Sequence, residues 1–314
     1  MAKPDSTITV CTLAEGDYHH GVAALVNSLV ASGYVGSIWV GWRGPLPPWT
    51  RTELGPDGLV LKAAHCRVVH LPLREGVMPA NLKPEIMQEV LLTHAPNSSG
   101  VVYFDPDIVV SAPWWFYEKW VSYGVAVCED NCFSRIAANH YLRKNWSPYI
   151  KKVLGVKSHA ALDQGFNSGF VGVARSCSEF LSTWRSLQQD LPTVGIELDA
   201  FKPGTRFDPF FGTDQDTLDM ATMVHSESIC ALGTEGMGFT NGMTAMWHAV
   251  DGPKPWRRFY LGYLLRTGQR ISEAQRGYWR QAGGPIQTRS RRALFLRRLD
   301  IGIAIALSRF YSSP

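Results

Sequence analysis

Two aspartates lie near the end of an apolar run: the stretch VVYFDPDIVV (101–110) contains Asp105 and Asp107. A buried carboxylate without a partner is costly, so this pair needs a cation or a chemical role. Carboxylates two residues apart can face one hard divalent cation, directly or through water. Such a cation would neutralise a diphosphate. Taken alone, the D-x-D pattern is more typical of a solvated acidic strand end.

The sequence around this pair alternates predicted strands with predicted helices. Apolar residues at helical spacing predict helices at 18–32 and 83–95, and shorter apolar runs bounded by Gly or Pro predict strands at 7–15, 36–44, 65–73 and 100–110. This alternation predicts βαβ units and a mostly parallel sheet. Ligands bind outside the carboxyl ends of strands in such sheets, which would place both acids at the binding edge.

The bulk composition is that of an ordinary globular protein. The 314 residues suffice for one large domain or two modest ones. Hydrophobic residues make up 45% and charged residues 18% of the chain, which is typical of soluble proteins. The six cysteines are scattered and the opening MAKPDSTITV is not an apolar leader. We therefore expect reduced thiols and a cytoplasmic protein.

The D-x-D stretch has companions elsewhere in the chain. These are TVCTLAEGDYHHGVAALVNSL (9–29), FNSGFVGV (166–173), GTDQDTLDMA (212–221) and HAVDGPKPW (248–256). With VVYFDPDIVV they resemble, in order, the motifs of GT-A-fold nucleotide-sugar glycosyltransferases. In particular they are similar to retaining glycosyltransferase family 8, the group of glycogenin and the bacterial lipopolysaccharide galactosyltransferases. The most specific match is the six-residue step from His248 to Lys254.

The resemblance implies an α/β fold of the GT-A (Rossmann-like) type, with a mostly parallel mixed sheet flanked by helices over residues 1–256. A helical, arginine-rich basic extension would follow at 257–314. The implied activity is metal-dependent transfer of a hexose from a UDP-sugar, with galactose or glucose favoured, to a saccharide or lipid-linked saccharide. Retention of anomeric configuration and a role in bacterial surface polysaccharide or lipopolysaccharide synthesis would follow.

By the same resemblance, Asp105, Asp107 and His248 would bind Mn²⁺ or Mg²⁺. An imidazole together with carboxylates and phosphate oxygens suits Mn²⁺. The metal would act as a Lewis acid that neutralises the leaving diphosphate. Read from the residues alone, a single histidine is more often structural.

The donor-binding residues follow from the other motifs. Lys254, between two prolines, would contact the diphosphate, and Lys83 would reach the diphosphate or the sugar unless it is simply a solvated lysine. The residues assigned to the sugar are Asn167, Ser168, Gly169 and, with a lower rank, Asp163. The candidates for uracil and ribose are Ala14, Glu15 and Tyr18.

Two residues of the D-Q-D motif are the catalytic candidates. Asp214 and Gln215 would line the β-face of the donor sugar, where an oxocarbenium-like transition state develops positive charge that an oxygen atom stabilises. Whether either forms a covalent intermediate stays open. Asp214 or the preceding Thr213 would also suit the N-cap of a helix.

The C-terminal extension is strongly basic. Residues 257–314 hold 12 arginines against Glu273 and Asp300, a net charge of 12 − 2 = +10, whereas the rest carries 19 basic and 25 acidic residues. The longest uncharged run within residues 288–314, at 301–308, is too short to span a bilayer. The extension would either lie on an anionic membrane surface, on the inner face of the cell membrane, or pack on the domain. No nucleic-acid-binding motif accompanies the charge.

Two other functions fit part of the pattern. A haloacid-dehalogenase-type phosphatase would use Asp105 as nucleophile and Asp107 as acid/base, but would leave the His248–Lys254 motif without a role. A non-catalytic nucleotide-sugar-binding module would keep the site without turnover. Four aromatic residues would stack on sugar rings or belong to the core: Trp114, Trp115, Trp146 and Tyr149.

Overall fold

A computed structural model describes residues 5–311 except 51–52, 56–57, 64–65, 134, 159–161 and 201–203. The strands in this part of the chain are β1 (Ile8–Glu15), β2 (Gly36–Arg43), β3 (Glu53–Gly55), β4 (Gly58–Ala63), β5 (Cys66–Pro72), β6 (Gly100–Phe104), β7 (Ile108–Val110), β8 (Val125–Glu129), β9 (Phe166–Ala174), β10 (Ile229–Leu232) and β11 (Met246–His248). The helices are α1 (His19–Ser32), α2 (Lys83–Glu89), α3 (Trp114–Val121), α4 (Tyr141–Leu154), α5 (Glu179–Gln189), α6 (Thr213–Val224), α7 (Tyr260–Thr267), α8 (Glu273–Gln281) and α9 (Arg291–Leu307).

The main sheet has the strand order β10-β8-β9-β6-β1-β2-β5-β4-β3 over the described residues. Without the short β3–β4 hairpin, seven strands remain. Four of their six neighbouring pairs are parallel, and β9 runs antiparallel between β8 and β6. The prediction of an α/β protein with a mostly parallel mixed sheet flanked by helices is therefore confirmed.

The acidic motif does not lie in one continuous strand, as the apolar run had suggested. The chain leaves the main sheet at Phe104, turns through Asp105–Asp107, and enters β7, which pairs antiparallel with β11 in a separate two-stranded sheet. In this pairing His248 lies opposite Ile108. The second small sheet is thus what brings the histidine beside Asp107.

The turn between β6 and β7 is held from two sides. The backbone N–H of Asp105 donates to the carbonyl of Gly169 in β9 (2.7 Å), and the N–H of Ile108 donates to the carbonyl of Asp105 (3.0 Å). Helix α1 passes so close that a Cβ on Gly21 would lie 2.1 Å from the carbonyl oxygen of Pro106. Only glycine allows this approach, so the position of the acidic turn depends on Gly21.

Helices cover both faces of the main sheet. Helices α1 and α3 pack on one face, and α2, α4, α5 and α6 pack on the other. Three of the aromatic side chains considered for sugar stacking are buried in these cores, namely Trp114, Trp146 and Tyr149. Trp115 is exposed, but it does not line the cavity described below. Of the two possibilities left open by the sequence, the three buried residues therefore fulfil the second, since they belong to the core and stabilise it.

The C-terminal extension is helical, as predicted, and it packs against the rest of the chain. Asn27 in α1 donates its side-chain N–H to the carbonyls of Gln281 (2.8 Å) and Ile286 (2.9 Å). An apolar cluster that includes Trp256, Tyr278 and Trp279 joins the extension to α1 and β7. None of the described helices has both the length and the apolar composition that crossing a membrane requires.

Buried Asp219 joins α6 to the sheet, because one of its carboxylate oxygens accepts the N–H of Phe166 (2.8 Å). Burial raises the pKa of this carboxyl well above its usual value. A raised folded-state pKa costs stability that grows as pH rises above the unfolded value. We therefore expect Asp219→Asn, which keeps the accepting oxygen, to raise the melting temperature at about pH 8, with the gain shrinking towards about pH 4.

Thermal unfolding across that pH range measures the effect. Asp5→Asn, at an exposed position outside secondary structure, is the matched control and should show no such trend. A gain that is larger at acidic than at alkaline pH would contradict the assignment of a raised pKa to Asp219.

Candidate functional site

A cavity of about 640 Å³ opens at the edge of the main sheet. It lies at the carboxyl ends of β1, β6 and β8 and at the amino end of antiparallel β9. Twelve of the fourteen residues predicted from the sequence line it: Ala14, Glu15, Tyr18, Lys83, Asp105, Asp107, Asn167, Ser168, Asp214, Gln215, His248 and Lys254. The fold thus brings five distant motifs to one cavity.

Three of these side chains form a potential metal site. One ligand atom each from Asp105, Asp107 and His248 lies within 4.8 Å of the others. The Nε2 atom of His248 is 3.2 Å from Oδ1 of Asp107 and 3.7 Å from Oδ2 of Asp105. Two carboxylates and one imidazole are ligands suited to Mn²⁺ and, for the oxygens, to Mg²⁺. The residues present therefore fit a divalent cation.

The ring of His248 is positioned by packing. Its Nδ1 atom is buried and has no hydrogen-bond partner among the described residues. A Cβ on Gly169 would lie 2.4 Å from Cε1 and 2.9 Å from Nδ1 of this ring. Gly169, which the sequence had suggested as a sugar contact, does not line the cavity; the structure places it behind the histidine.

Replacement of Gly169 by alanine is expected to weaken metal binding without removing a ligand. The new methyl group would displace the ring of His248, and a misplaced ligand costs about 10- to 100-fold in affinity by analogy with changes in the outer shell of metal sites. Calorimetric titration with Mn²⁺ measures this. Gly262→Ala is the control, since a Cβ there meets nothing within 4 Å; equal affinities in the two variants would contradict the role of Gly169.

Lys254 is held next to the acids. Its Nζ atom donates to Oδ2 of Asp107 (2.6 Å) and to the carbonyls of Ala249 (3.0 Å) and Val250 (3.2 Å). Burial alone would raise the pKa of Asp107, but the charges of His248 and Lys254 outweigh burial and lower it. The carboxylate is therefore kept ionised, which is the form that binds a cation.

Lys83 is not a solvated lysine, which was one of the two possibilities left open by the sequence. Only 2% of the residue is exposed, and its Nζ atom lies 2.7 Å from Oδ2 of Asp214 and 3.2 Å from Oδ1 of Asp105. Burial works against the charge of Lys83, but these two acids outweigh it and raise the pKa of the lysine. Lys83 thus links the potential metal site to the D-Q-D motif.

The two catalytic candidates differ in their surroundings. Asp214 is buried and is held by Lys83 and by the hydroxyl of Ser168, which donates to its Oδ2 atom at 2.7 Å. These partners outweigh burial and lower the pKa of Asp214. Gln215 is only partly buried and lines the cavity, and no described residue hydrogen-bonds its side chain. Gln215 is therefore the side chain available to a ligand.

Both the nitrogen and the oxygen of the Asn167 side-chain amide already form hydrogen bonds within the protein. Its Nδ2 atom donates to Oδ1 of Asp130 (2.8 Å), and its Oδ1 atom accepts the N–H of Gly169 (3.0 Å). The second oxygen of Asp130 accepts the backbone N–H groups of Cys132 and Phe133. Asp130 itself lines the cavity. It directly follows β8, which ends at the same edge of the sheet, and it was not among the residues predicted from the sequence.

The first loop contributes Ala14, Glu15 and Tyr18 to the cavity wall. Glu15 forms an ion pair with Arg43 at 2.6 Å. The ring of Tyr18 meets the ring of Trp256 edge-on, with centroids 5.2 Å apart. The first loop therefore gives the cavity wall one ion-paired side chain and one ring that packs on the KPW segment.

One predicted residue lies outside the cavity, and one residue that was not predicted contacts the acidic pair. Asp163 is exposed and does not line the cavity, so the structure does not bring it to the other site residues. Tyr103, which was missed, donates its hydroxyl to Oδ1 of Asp105 (2.7 Å). In the predicted strand at 100–110, Tyr103 and Asp105 are two residues apart and would lie on the same face, which was the available signal.

In comparisons with known proteins, no family model and no curated protein matches this chain. The similarity to a glycosyltransferase family therefore rests on the five motifs quoted above.

Proposed function

We propose that this protein is a metal-dependent glycosyltransferase of GT-A type that transfers a hexose from a UDP-sugar to a saccharide acceptor. The observation that supports this most directly is one cavity that contains both the Asp105–Asp107–His248 group and the side chain of Gln215. A cation held by the Asp105–Asp107–His248 group would neutralise the diphosphate of the donor. The side-chain oxygen of Gln215 would stabilise the positive charge that develops on the sugar.

The protein side chains divide the work. A bound Mn²⁺ or Mg²⁺ supplies Lewis-acid stabilisation of the leaving diphosphate. Asp105, Asp107 and His248 hold that ion, and Lys254, already at the same carboxylate, adds a positive charge next to the phosphates. Lys83 holds the carboxylates of Asp105 and Asp214 in place and keeps that of Asp214 ionised. The first loop binds the uracil and ribose.

Retention of configuration is part of the proposal. The acceptor attacks from the face that the diphosphate leaves, so no general base is required on the opposite β-face. Gln215 contacts that β-face and stabilises positive charge through its amide oxygen. Asp214 acts through Lys83 and Ser168 and is a positioning residue. The preference for galactose or glucose and the role in bacterial surface polysaccharide or lipopolysaccharide synthesis come from the motif resemblance.

A panel of UDP-hexoses with Mn²⁺ tests the proposal. A donor that binds should raise the melting temperature, since ligand at 100 times its Kd adds about 2.7 kcal/mol, and chelation of the metal should remove the shift. Slow release of UDP supports a transferase. Release of inorganic phosphate would support the haloacid-dehalogenase-type alternative, and binding without turnover in the presence of a panel of saccharide acceptors would support a binding module.

The extension also supports a peripheral location on the inner face of the cell membrane. Helix α9 buries only Leu294 and Ala304 among its described residues. It leaves apolar side chains exposed next to exposed arginines, namely Phe295, Leu296 and Leu299 next to Arg291, Arg292 and Arg298. Apolar side chains with arginines around them are typical of interfacial helices.

We expect the protein to co-sediment with vesicles that contain anionic lipid and not with neutral vesicles. Equal binding to anionic and neutral vesicles would contradict this location.

A further inference from the structure

A second cavity, of about 450 Å³, adjoins the first. Both are lined by Asp251 and Gly252, which belong to the loop between β11 and α7. The other lining residues come from the extension: Arg258, Tyr263, Gln269, Arg270, Ser272 and Gln275. A ligand in this cavity would therefore lie next to the proposed transfer site, separated from it by the segment that leads from His248 to Lys254.

Arg258 is the central group of this cavity. It is 4% exposed, its Nη2 atom donates to the carbonyl of Gly252 (2.8 Å), and its guanidinium lies 4.1 Å from the ring centroid of Tyr263. Its Nε atom is buried without a hydrogen-bond partner, and no ion pair within the described chain includes this arginine. A buried cation with an unused donor needs a counter-charge.

The rest of the lining is rich in hydrogen-bond donors. Oε1 of Gln275 accepts the N–H of Ser272 (3.2 Å), and Oε1 of Gln269 accepts the hydroxyl of Tyr263 (2.7 Å). The NH₂ groups of both amides are thus the ends left for a ligand. Arg270 adds a second guanidinium, and the carboxylate of Asp251 is the one acidic side chain among the lining residues. The balance of charge favours an anion.

We propose that this second cavity binds the anionic group, phosphate or carboxylate, of the saccharide acceptor. The assignment to the acceptor rests on the proposed transferase function, since the diphosphate of the donor belongs beside Asp105 and Asp107. The bidentate face of an arginine matches either oxyanion. A neutral saccharide lacks the counter-charge that Arg258 requires.

Binding can be followed at Arg258 itself, without any transfer. In ¹H–¹⁵N spectra of the protein saturated with Mg²⁺ and UDP, which block the first cavity, the Nε–H resonance of Arg258 should shift with glucose 1-phosphate or glucuronate and not with glucose. A response to glucose 1-phosphate alone identifies a phosphate ligand, and a response to glucuronate alone identifies a carboxylate. No response to either anion, or an equal response to glucose, would overturn the proposal.

Variants link the shift to the site. In calorimetric titrations, Arg258→Gln should weaken binding of the responding anion at least about tenfold, the usual contribution of a hydrogen bond to a charged group. Should that buried change prevent folding, Arg270→Gln, at an exposed position, should weaken binding about threefold, because an exposed ion pair contributes less than a buried one. Arg74→Gln, exposed outside secondary structure, should have no effect; equal affinities in all variants would refute the site.

The two proposals fail separately. Anion binding at Arg258 without UDP-sugar turnover would support the anion site and contradict the transferase function. UDP-sugar turnover with no response at Arg258 would support the transferase function and contradict the anion site.

Discussion

Replacement of Asp107 by asparagine is expected to abolish metal-dependent release of UDP from a UDP-hexose. Asp107 lies 3.2 Å from the Nε2 atom of His248 and 2.6 Å from the Nζ atom of Lys254. The amide keeps the shape of the side chain but loses the charge that the cation and the lysine both require. Because metal-ion catalysis supplies several kcal/mol of transition-state stabilisation, we expect kcat to fall about 10³-fold or more.

Titration with Mn²⁺ should show the cause, with affinity falling in parallel with activity. Thermal unfolding without metal checks that the fold survives, and Asp5→Asn is the control for an acid remote from the cavity. Full activity of Asp107→Asn with an unchanged response to Mn²⁺ would show that Asp107 is not a metal ligand. The proposed function would then lose its main support.

Replacement of Lys83 by methionine is expected to cause the largest loss of stability among the changes considered. The substitution leaves the carboxylates of Asp105 and Asp214 facing each other without a cation, and breaking a buried ion pair from one side costs about 3–5 kcal/mol. Urea unfolding measures the free energy. Lys144→Met, at an exposed position on α4, is the matched control and should lie within about 0.5 kcal/mol of the parent.

A double variant separates lost charge from lost packing. Adding Asp214→Asn to Lys83→Met removes one of the two uncompensated charges, so part of the stability should return, and the difference gives the coupling between the pair. If Lys83→Met lowers the free energy of unfolding by less than about 1 kcal/mol, these ion pairs contribute less to stability than buried ion pairs usually do.

The strand pattern was readable because it depends on local apolar content. The predicted strands at 7–15, 36–44 and 65–73 correspond to β1, β2 and β5. The run at 100–110 was read as one strand and is two. Apolar residues on both sides of the aspartates gave no local sign of the break, which arises because Ile108–Val110 pairs with Met246–His248, a partner more than a hundred residues away.

Side-chain partners were less accessible to sequence reasoning. Lys83 was recognised as a candidate, yet its two acids, Asp105 and Asp214, come from a β-turn and a helix start that only the fold brings together. Gly169 sits in a motif suggestive of a sugar contact, whereas the space its missing Cβ leaves is taken by His248. Such complementarity depends on which element lies opposite, and a single sequence does not contain that information.

By itself, then, the sequence determined which residue types could do chemistry and the strand edge at which most of them would lie. The tertiary structure alone decided which groups contact one another and which line a cavity. It pairs His248 with Asp107 and Lys83 with Asp214. It places Gln215 in the wall of the first cavity and Arg258 in the wall of the second. The reason is physical. Apolar periodicity is set by neighbours a few residues apart, whereas the partner of a buried charge is set by whichever group the packing of distant elements places within a few ångströms.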